Sequence, residues 1–320
     1  MSSLVLQQLD IYGPDRCDKL DYDKAVAFTH DLVRAQYENF TVISWLLPKR
    51  LRDHFANVYA FCRWADDLGD ETGDRDRSLE LLAWWRKELQ ACYNDQPRHP
   101  VFVALLPTIK QCDIPIKPFD DLIKAFEQDQ RIVRYQNWDQ VVDYCTRSAD
   151  PVGRLVLYLC GYRDEERQQL SDRTCTALQL ANFWQDVRRD ILERDRIYVP
   201  GDELAKNGLT HDDLVEAAHD RTPLSPEKHA AYAATIKGLV DKTWPLFKEG
   251  HGLWPMIARD VRYDIQLFSL GGEAIMRLIE RGGYHTLDRR PKLNKFGKAK
   301  LMGRALFGKM IGLIPIGGKA

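Results

Sequence analysis

Residues 59–71 read Tyr-Ala-Phe-Cys-Arg-Trp-Ala-Asp-Asp-Leu-Gly-Asp-Glu, and residues 178–190 read Leu-Gln-Leu-Ala-Asn-Phe-Trp-Gln-Asp-Val-Arg-Arg-Asp. Each is an apolar, aromatic-rich run that ends in acid, with the period of a helix rather than the alternation of a strand. In the first, Asp66 and Asp70 are four apart and share a helix face; Arg63 lies near that face and Asp67 points elsewhere. In the second, Asn182, Asp186 and Asp190 stack at four-residue intervals beside Leu180, Phe183, Trp184 and Val187. Carboxylates at this spacing repel by about 0.2–0.5 kcal/mol, so each face calls for compensation by a cation or solvent. One D-x-x-x-D is common on a solvated helix face. Two of them in apolar segments, each accompanied by Arg, Asn or Gln, are more than a solvated face needs. Facing each other, they would supply the carboxylate oxygens that Mg²⁺ prefers to share with waters and substrate phosphates.

The same helical period runs through 21–40, 49–70, 77–93, 117–133, 165–194 and 227–247, which predicts an all-α domain. Pro48, Pro97, Pro107, Pro115, Pro118, Pro151, Pro200, Gly201 and Gly208 are read as turns between helices. Alternating segments are scarce and no glycine-rich phosphate loop is present, which argues against a dinucleotide-binding α/β fold.

A chain of 320 residues with 44% hydrophobic content can bury a sizeable core, and a net charge of -1 gives no reason to expect nucleic acid as a partner. The charge is uneven, however: residues 289–320 hold nine Lys or Arg and no acid. Phe296, Leu301, Met302, Leu306, Phe307, Met310, Ile311 and Leu313 lie among them, a basic amphipathic pattern suited to an anionic membrane surface. The bland reading is a solubilising tail. Seven cysteines without a C-x-x-C spacing suit reduced thiols of the cytoplasm, and no apolar run reaches the ~18 residues of a spanning helix. The organisation expected is an N-terminal extension over 1–20, a helical domain over 21–288 and a basic amphipathic tail over 289–320. The location expected is cytoplasmic, with the tail peripheral on the inner face of the membrane.

Three segments in order resemble the squalene/phytoene synthase family. They are Tyr59-Ala-Phe-Cys-Arg63 leading into Asp66 and Asp70, Leu178-Gln-Leu-Ala-Asn182 leading into Asp186 and Asp190, and Arg196-Ile-Tyr198-Val-Pro200. The likeness covers about 36–291. It implies a single-domain class I isoprenoid synthase fold with helices around a central cavity, in which Mg²⁺ bridges the aspartates to a prenyl diphosphate. Two positions depart from the family's usual pattern. Asn39-Phe40 stands where Ser-Phe is usual, and Gln185-Asp186 stands where Arg-Asp is usual. Both departures, together with Ser-Ala-Asp-Pro-Val-Gly at 148–153, resemble the hydroxysqualene synthase branch of bacterial hopanoid pathways.

That resemblance implies conversion of presqualene diphosphate and water into hydroxysqualene and diphosphate. Asp66, Asp70, Asp186 and Asp190, with Asn182, would be the metal ligands. Arg63, Arg196 and Arg289 would meet phosphate oxygens, Tyr59 and Tyr198 would hydrogen-bond the same group, and Gln179 would contact metal or water. Asn39 and Phe40 would lie against the substrate. Phe40, Trp64, Tyr144 and Phe183 are candidate aromatic faces for a carbocation, each equally readable as ordinary core. Replacing Arg by neutral Gln185 removes a fixed charge near the leaving group and leaves an amide to orient water. No nicotinamide motif is present, which favours water over reduction. Other enzymes of squalene biosynthesis are expected partners. His54 and His285, without metal-ligand spacing, are read as structural or solvated. The competing readings are head-to-head condensation to presqualene diphosphate, squalene or phytoene, and a non-catalytic relative acting in binding or assembly. A non-catalytic relative would be expected to lose aspartates that this chain keeps.

Overall fold

A computed structural model describes residues 4–35 and 47–293. In chain order the helices are α1 (Leu4–Tyr12), α2 (Tyr22–Ala35), α3 (Arg52–Asp70), α4 (Arg75–Tyr93), α5 (Pro100–Cys112), α6 (Lys117–Asp129) and α7 (Trp138–Ser148). They continue with α8 (Asp150–Leu159), α9 (Glu165–Arg194), α10 (Gly201–Ala205), α11 (His211–Ala218), α12 (Pro226–Gly250) and α13 (Arg259–Arg281). Two isolated bridges are the only extended pairings among the described residues, so the expected all-α class holds.

Several helix starts are written in the sequence. Asp74 accepts from the Arg77 amide at 3.0 Å to begin α4, and Ser225 with Pro226 begins α12. Thr210 and Asp213 form a reciprocal capping box on α11. Pro118 and Pro151, read as turns, stand in the first turns of α6 and α8, where a missing N–H costs nothing. Pro107 corrects the reading outright: it lies inside α5. A segment apolar on nearly every side stays helical there because burial outweighs the one backbone bond that proline removes.

The described residues form two compact units. The first holds residues 4–35, Lys49–Val133 and Thr146–Gln168. Its core is aromatic: Trp64 of α3 stacks on Trp85 of α4 at 5.3 Å and 12°, and Phe61 meets Phe119 of α6 edge-on at 4.8 Å. Such pairs add about 0.5–1.5 kcal/mol beyond the area they bury. Trp64 is wholly buried among these rings and belongs to the core. His99 caps α5, its Nδ1 accepting from the Val101 amide at 3.2 Å, inside the same aromatic cluster. Burial holds its pKa well below the ordinary histidine value. Buried Asn57 accepts from Thr29 at 2.8 Å and donates to the Ala104 carbonyl and Thr108, which satisfies its polar groups across α2, α3 and α5. His54 hydrogen-bonds Thr108 in that network, a structural role.

The second unit holds residues 47–48, Arg134–Cys145 and 169–293. Trp184 of α9 donates to Thr243 of α12 at 3.0 Å. α13 reaches α9 and α12 at Gly272, where an added Cβ would lie 2.4 Å from Leu178 Cδ2 and 2.8 Å from Phe247 Cζ. Only a residue without a side chain permits that approach.

Candidate active site

In the first unit, α3 carries Tyr59, Arg63, Asp66 and Asp70 at intervals that keep them on one face. The three acids Asp66, Asp67 and Asp70 crowd the last turn of the helix, which has no basic residue. The peptide dipole is negative there, so each acid is disfavoured by about 0.3–1 kcal/mol unless a cation answers it. Arg63 answers part of the charge: it ion-pairs with Asp67, whose side chain is 1% exposed, and reaches Asp66 at 3.4 Å. Asp67 therefore points inward, away from the Asp66 face. The Gly69 carbonyl at this end accepts from Ser78 at 3.0 Å and Gln130 at 2.9 Å, which fixes the turn bearing the acids. Burial pushes the Tyr59 phenol upward, so it remains a hydrogen-bond donor.

In the second unit, α9 breaks at one residue, and that residue is Asp186 (φ -106°, ψ 15°). Its carboxylate, 5% exposed, is gripped by Arg290 in a bidentate pair, Nε donating to Oδ1 and Nη2 to Oδ2 at 2.8 Å. Arg189 stands at 4.0 Å from the same carboxylate. The preceding residue is engaged by the same segment, for Gln185 Nε2 donates to the Pro291 carbonyl at 2.5 Å. Residues 290–291 thus lie as a strap across Gln185 and Asp186. Asp190 is buried, and burial followed by repulsion from Asp186 pushes its carboxyl up to about 7. Arg194 approaches it at 3.8 Å.

Asp195, in the left-handed region at φ 53°, ends the helix and turns the chain back, so that the Arg196 amide donates to the Asp190 carbonyl at 3.0 Å. The returning strand pairs with Arg134–Tyr135 and delivers Tyr198 face-to-face onto Phe183, with ring centroids 3.7 Å apart and 8° between planes. Tyr135 and Tyr144 close on Tyr198 at 5.4 and 5.6 Å. The Arg196-Ile-Tyr198 motif is therefore brought beside the second acidic face, together with Tyr144 and Phe183. Gln179 is half-buried and Asn182 exposed on the same helix. Arg289 is exposed, its amide bonded to the His285 carbonyl, while its neighbour Arg290 holds the aspartate. Arg290 was not legible from the sequence, because outside a helix no periodicity says which of two adjacent arginines faces inward. Asn39 and Phe40 lie outside the described residues, as does the tail from 294.

The sequence model of the squalene/phytoene synthase family matches residues 33–297, a span that contains both acidic helices and the returning strand. The chain belongs to the squalene/phytoene synthase family. Among its members, the hydroxysqualene synthase of Rhodopseudomonas palustris is 32% identical over 246 residues, 76% of this chain and 80% of that one. The phytoene synthase of Thermus thermophilus is 31% identical over 86% of this chain and 90% of that one. The crystal structure of squalene synthase HpnC from Alicyclobacillus acidocaldarius aligns with a TM-score of 0.74 at 42% identity, covering 82% of this chain and 95% of that one. The all-α class I isoprenoid synthase fold is thus common to this family member and its solved neighbours.

Proposed function

We propose that the chain is a hydroxysqualene synthase, converting presqualene diphosphate and water into hydroxysqualene and diphosphate. The observation that carries the reading is the buried Asp186–Asp190 pair, in which burial and mutual repulsion push Asp190 up to about 7. Two buried carboxylates one helical turn apart, with Asp190 raised by burial and by the charge of Asp186, are a donor set fitted to a hard divalent cation. Asp66, Asp70, Asp186 and Asp190 would hold Mg²⁺, with Asn182 one turn away on α9. Mg²⁺ bound there supplies Lewis-acid neutralisation of a departing diphosphate.

The chain's own side chains then have distinct tasks. Arg63, Arg196 and Arg289 donate to phosphate oxygens, and Tyr59 and Tyr198 add hydroxyl donors. The Tyr135–Tyr144–Phe183–Tyr198 cluster excludes water and presents ring faces to the carbocation left when the carbon–oxygen bond breaks. Gln185, with Nε2 committed to Pro291, keeps its Oε1 to accept from the incoming water, whose oxygen bonds the cation as its proton passes to the released diphosphate. Similarity to the Rhodopseudomonas palustris enzyme supports this product. The helical domain over 21–288, with Arg289 and the 290–291 strap from the start of the expected tail, carries the reaction; the rest of that tail would meet an anionic membrane surface, in keeping with a cytoplasmic enzyme of C30 lipids that works beside others of squalene biosynthesis. Among the described residues no helix is long and apolar enough to cross a membrane.

The second reading, head-to-head condensation, is favoured by the Thermus thermophilus relative. Purified chain with Mg²⁺ and no NADPH should be given farnesyl or geranylgeranyl diphosphate in one assay and presqualene diphosphate in another. Hydroxysqualene from presqualene diphosphate alone supports the proposal; a condensation product from the first assay replaces it. Full turnover by both Asp66→Ala and Asp186→Ala would remove the metal reading, and no turnover of either substrate by the parent chain would favour a binding or assembly role.

A further inference from the structure

His285, a lone histidine in the sequence, is not alone in the fold. His229 in the first turn of α12 and Asp288 three residues further along converge on it, so that one ligand atom from each lies within 4.8 Å of the other two. The two imidazoles stack at 4.3 Å with 24° between planes, and His229 Nε2 meets Asp288 Oδ2 at 2.6 Å. The turn that presents His285 and Asp288 is built for it. Gly283 and Tyr284 both take left-handed backbone (φ 68° and 66°) to reverse the chain after α13, and buried Tyr232 of α12 hydrogen-bonds Thr286 at 2.8 Å. A second observation points to a ligand: His285 Nδ1 is buried and has no hydrogen-bond partner among the described residues. Buried ring nitrogens are ordinarily satisfied, and coordination at one nitrogen fixes the tautomer of the other.

We propose that His229, His285 and Asp288 form a binding site for a divalent transition-metal ion, Zn²⁺ being the best chemical match, apart from the aspartate faces. Two imidazoles and one carboxylate suit Zn²⁺ and its first-row neighbours; Mg²⁺ prefers an all-oxygen shell. Tetrahedral coordination at about 2.0–2.1 Å places ligand atoms roughly 3.3 Å apart, reached when the two partly exposed rings turn out of their stack and the exposed Asp288 carboxylate follows. Asp288 is exposed, which leaves the fourth position to water. The site lies two residues before the strap: a cation joining α12 to the 285–288 turn fixes Arg290 and Pro291 where they hold Asp186 and Gln185.

The test uses the full chain, stripped with a chelator and titrated calorimetrically with Zn²⁺ alone. His229→Gln, His285→Gln and Asp288→Asn are compared with Asp186→Asn, far-UV circular dichroism confirming that each is folded. One Zn²⁺ should bind, with affinity falling on the order of 100-fold in the first three variants and by less than about tenfold in Asp186→Asn, which touches the site only through the strap. Ligand positions on α12 and on the 285–288 turn keep the result readable if one variant fails to fold. Co²⁺ should give the visible absorption of a tetrahedral site, lost in His229→Gln. Zn²⁺ should also slow tryptic cleavage after Arg289 on the order of tenfold in the parent and not in His229→Gln. Absence of binding, or binding lost in Asp186→Asn and kept in His229→Gln, overturns the site; cleavage indifferent to Zn²⁺ overturns its hold on the strap. The aspartate mechanism stands or falls separately, on turnover.

Discussion

Replacing Arg290 by Met strips the Asp186 carboxylate of its bidentate partner while keeping most of the aliphatic stem. Breaking a buried ion pair costs about 3–5 kcal/mol when the remaining charge is fully enclosed. Asp186 is 5% exposed but Arg290 is 34% exposed, and water already screens part of their attraction, so the cost here is about 2 kcal/mol. With about 2.1 cal/mol/K of unfolding entropy per residue across 320 residues, this is a fall of roughly 3 °C in Tm. Differential scanning calorimetry without divalent ions, near pH 8, measures it. The sign of a second substitution makes the test specific. Adding Asp186→Asn to Arg290→Met removes the stranded charge, so the double variant should melt above Arg290→Met. In the same apparatus, Mg²⁺ should raise the Tm of Arg290→Met more than that of the parent, since there it meets no competing guanidinium. A Tm within 1 °C of the parent for Arg290→Met, or a double variant that melts lower still, would mean that the Arg290 grip on Asp186 adds nothing to stability.

Two further outcomes follow from groups away from the aspartates. His99 is neutral in the folded state because burial lowers its pKa, whereas in the unfolded chain it titrates near 6.5. Below that pH the unfolded state binds the extra proton, so stability is lost as pH falls: about 1.4 kcal/mol by pH 5.5 from this group alone. His99→Asn keeps a capping acceptor and should show a shallower decline between pH 6.5 and 5.5 in urea titrations, whatever its stability at pH 7.5. Gly272→Ala pushes a methyl against Leu178 and Phe247. It should destabilise the chain by about 1–3 kcal/mol, measured as a lower urea midpoint at unchanged slope.

The helices most legible in the sequence were those with strong periodicity and clear ends. The segment 165–194 coincides with α9, and 227–247 lies within Pro226–Gly250. α5 was hidden by Pro107, and α13 by the Gly271–Gly272 pair in its interior, which reads as a breaker although Gly272 is there for its close approach to Leu178 and Phe247. α7 and α8 meet at Ser148-Ala149-Asp150-Pro151, which reads as one turn signal and conceals the helices on both sides. Of the candidate site, the residues at helical spacing were legible because a helix fixes its own faces. The strap was not: Arg290 and Pro291 reach Asp186 and Gln185 across 104 and 106 positions of chain, and nothing local encodes that pairing. His229, His285 and Asp288 were hidden for the same reason.

The stacked tryptophans have a use beyond packing. Trp64 and Trp85 lie nearly parallel in the first unit, and Trp138 and Trp184 stack at 6.4 Å and 24° in the second. Indoles this close couple their electronic transitions, so each pair should contribute its own exciton band to the near-ultraviolet circular dichroism. Trp85→Phe and Trp138→Phe would silence the two bands one at a time. The protein thus carries a built-in optical reporter in each unit, able to show whether the halves that bear the two acidic faces melt together or in sequence.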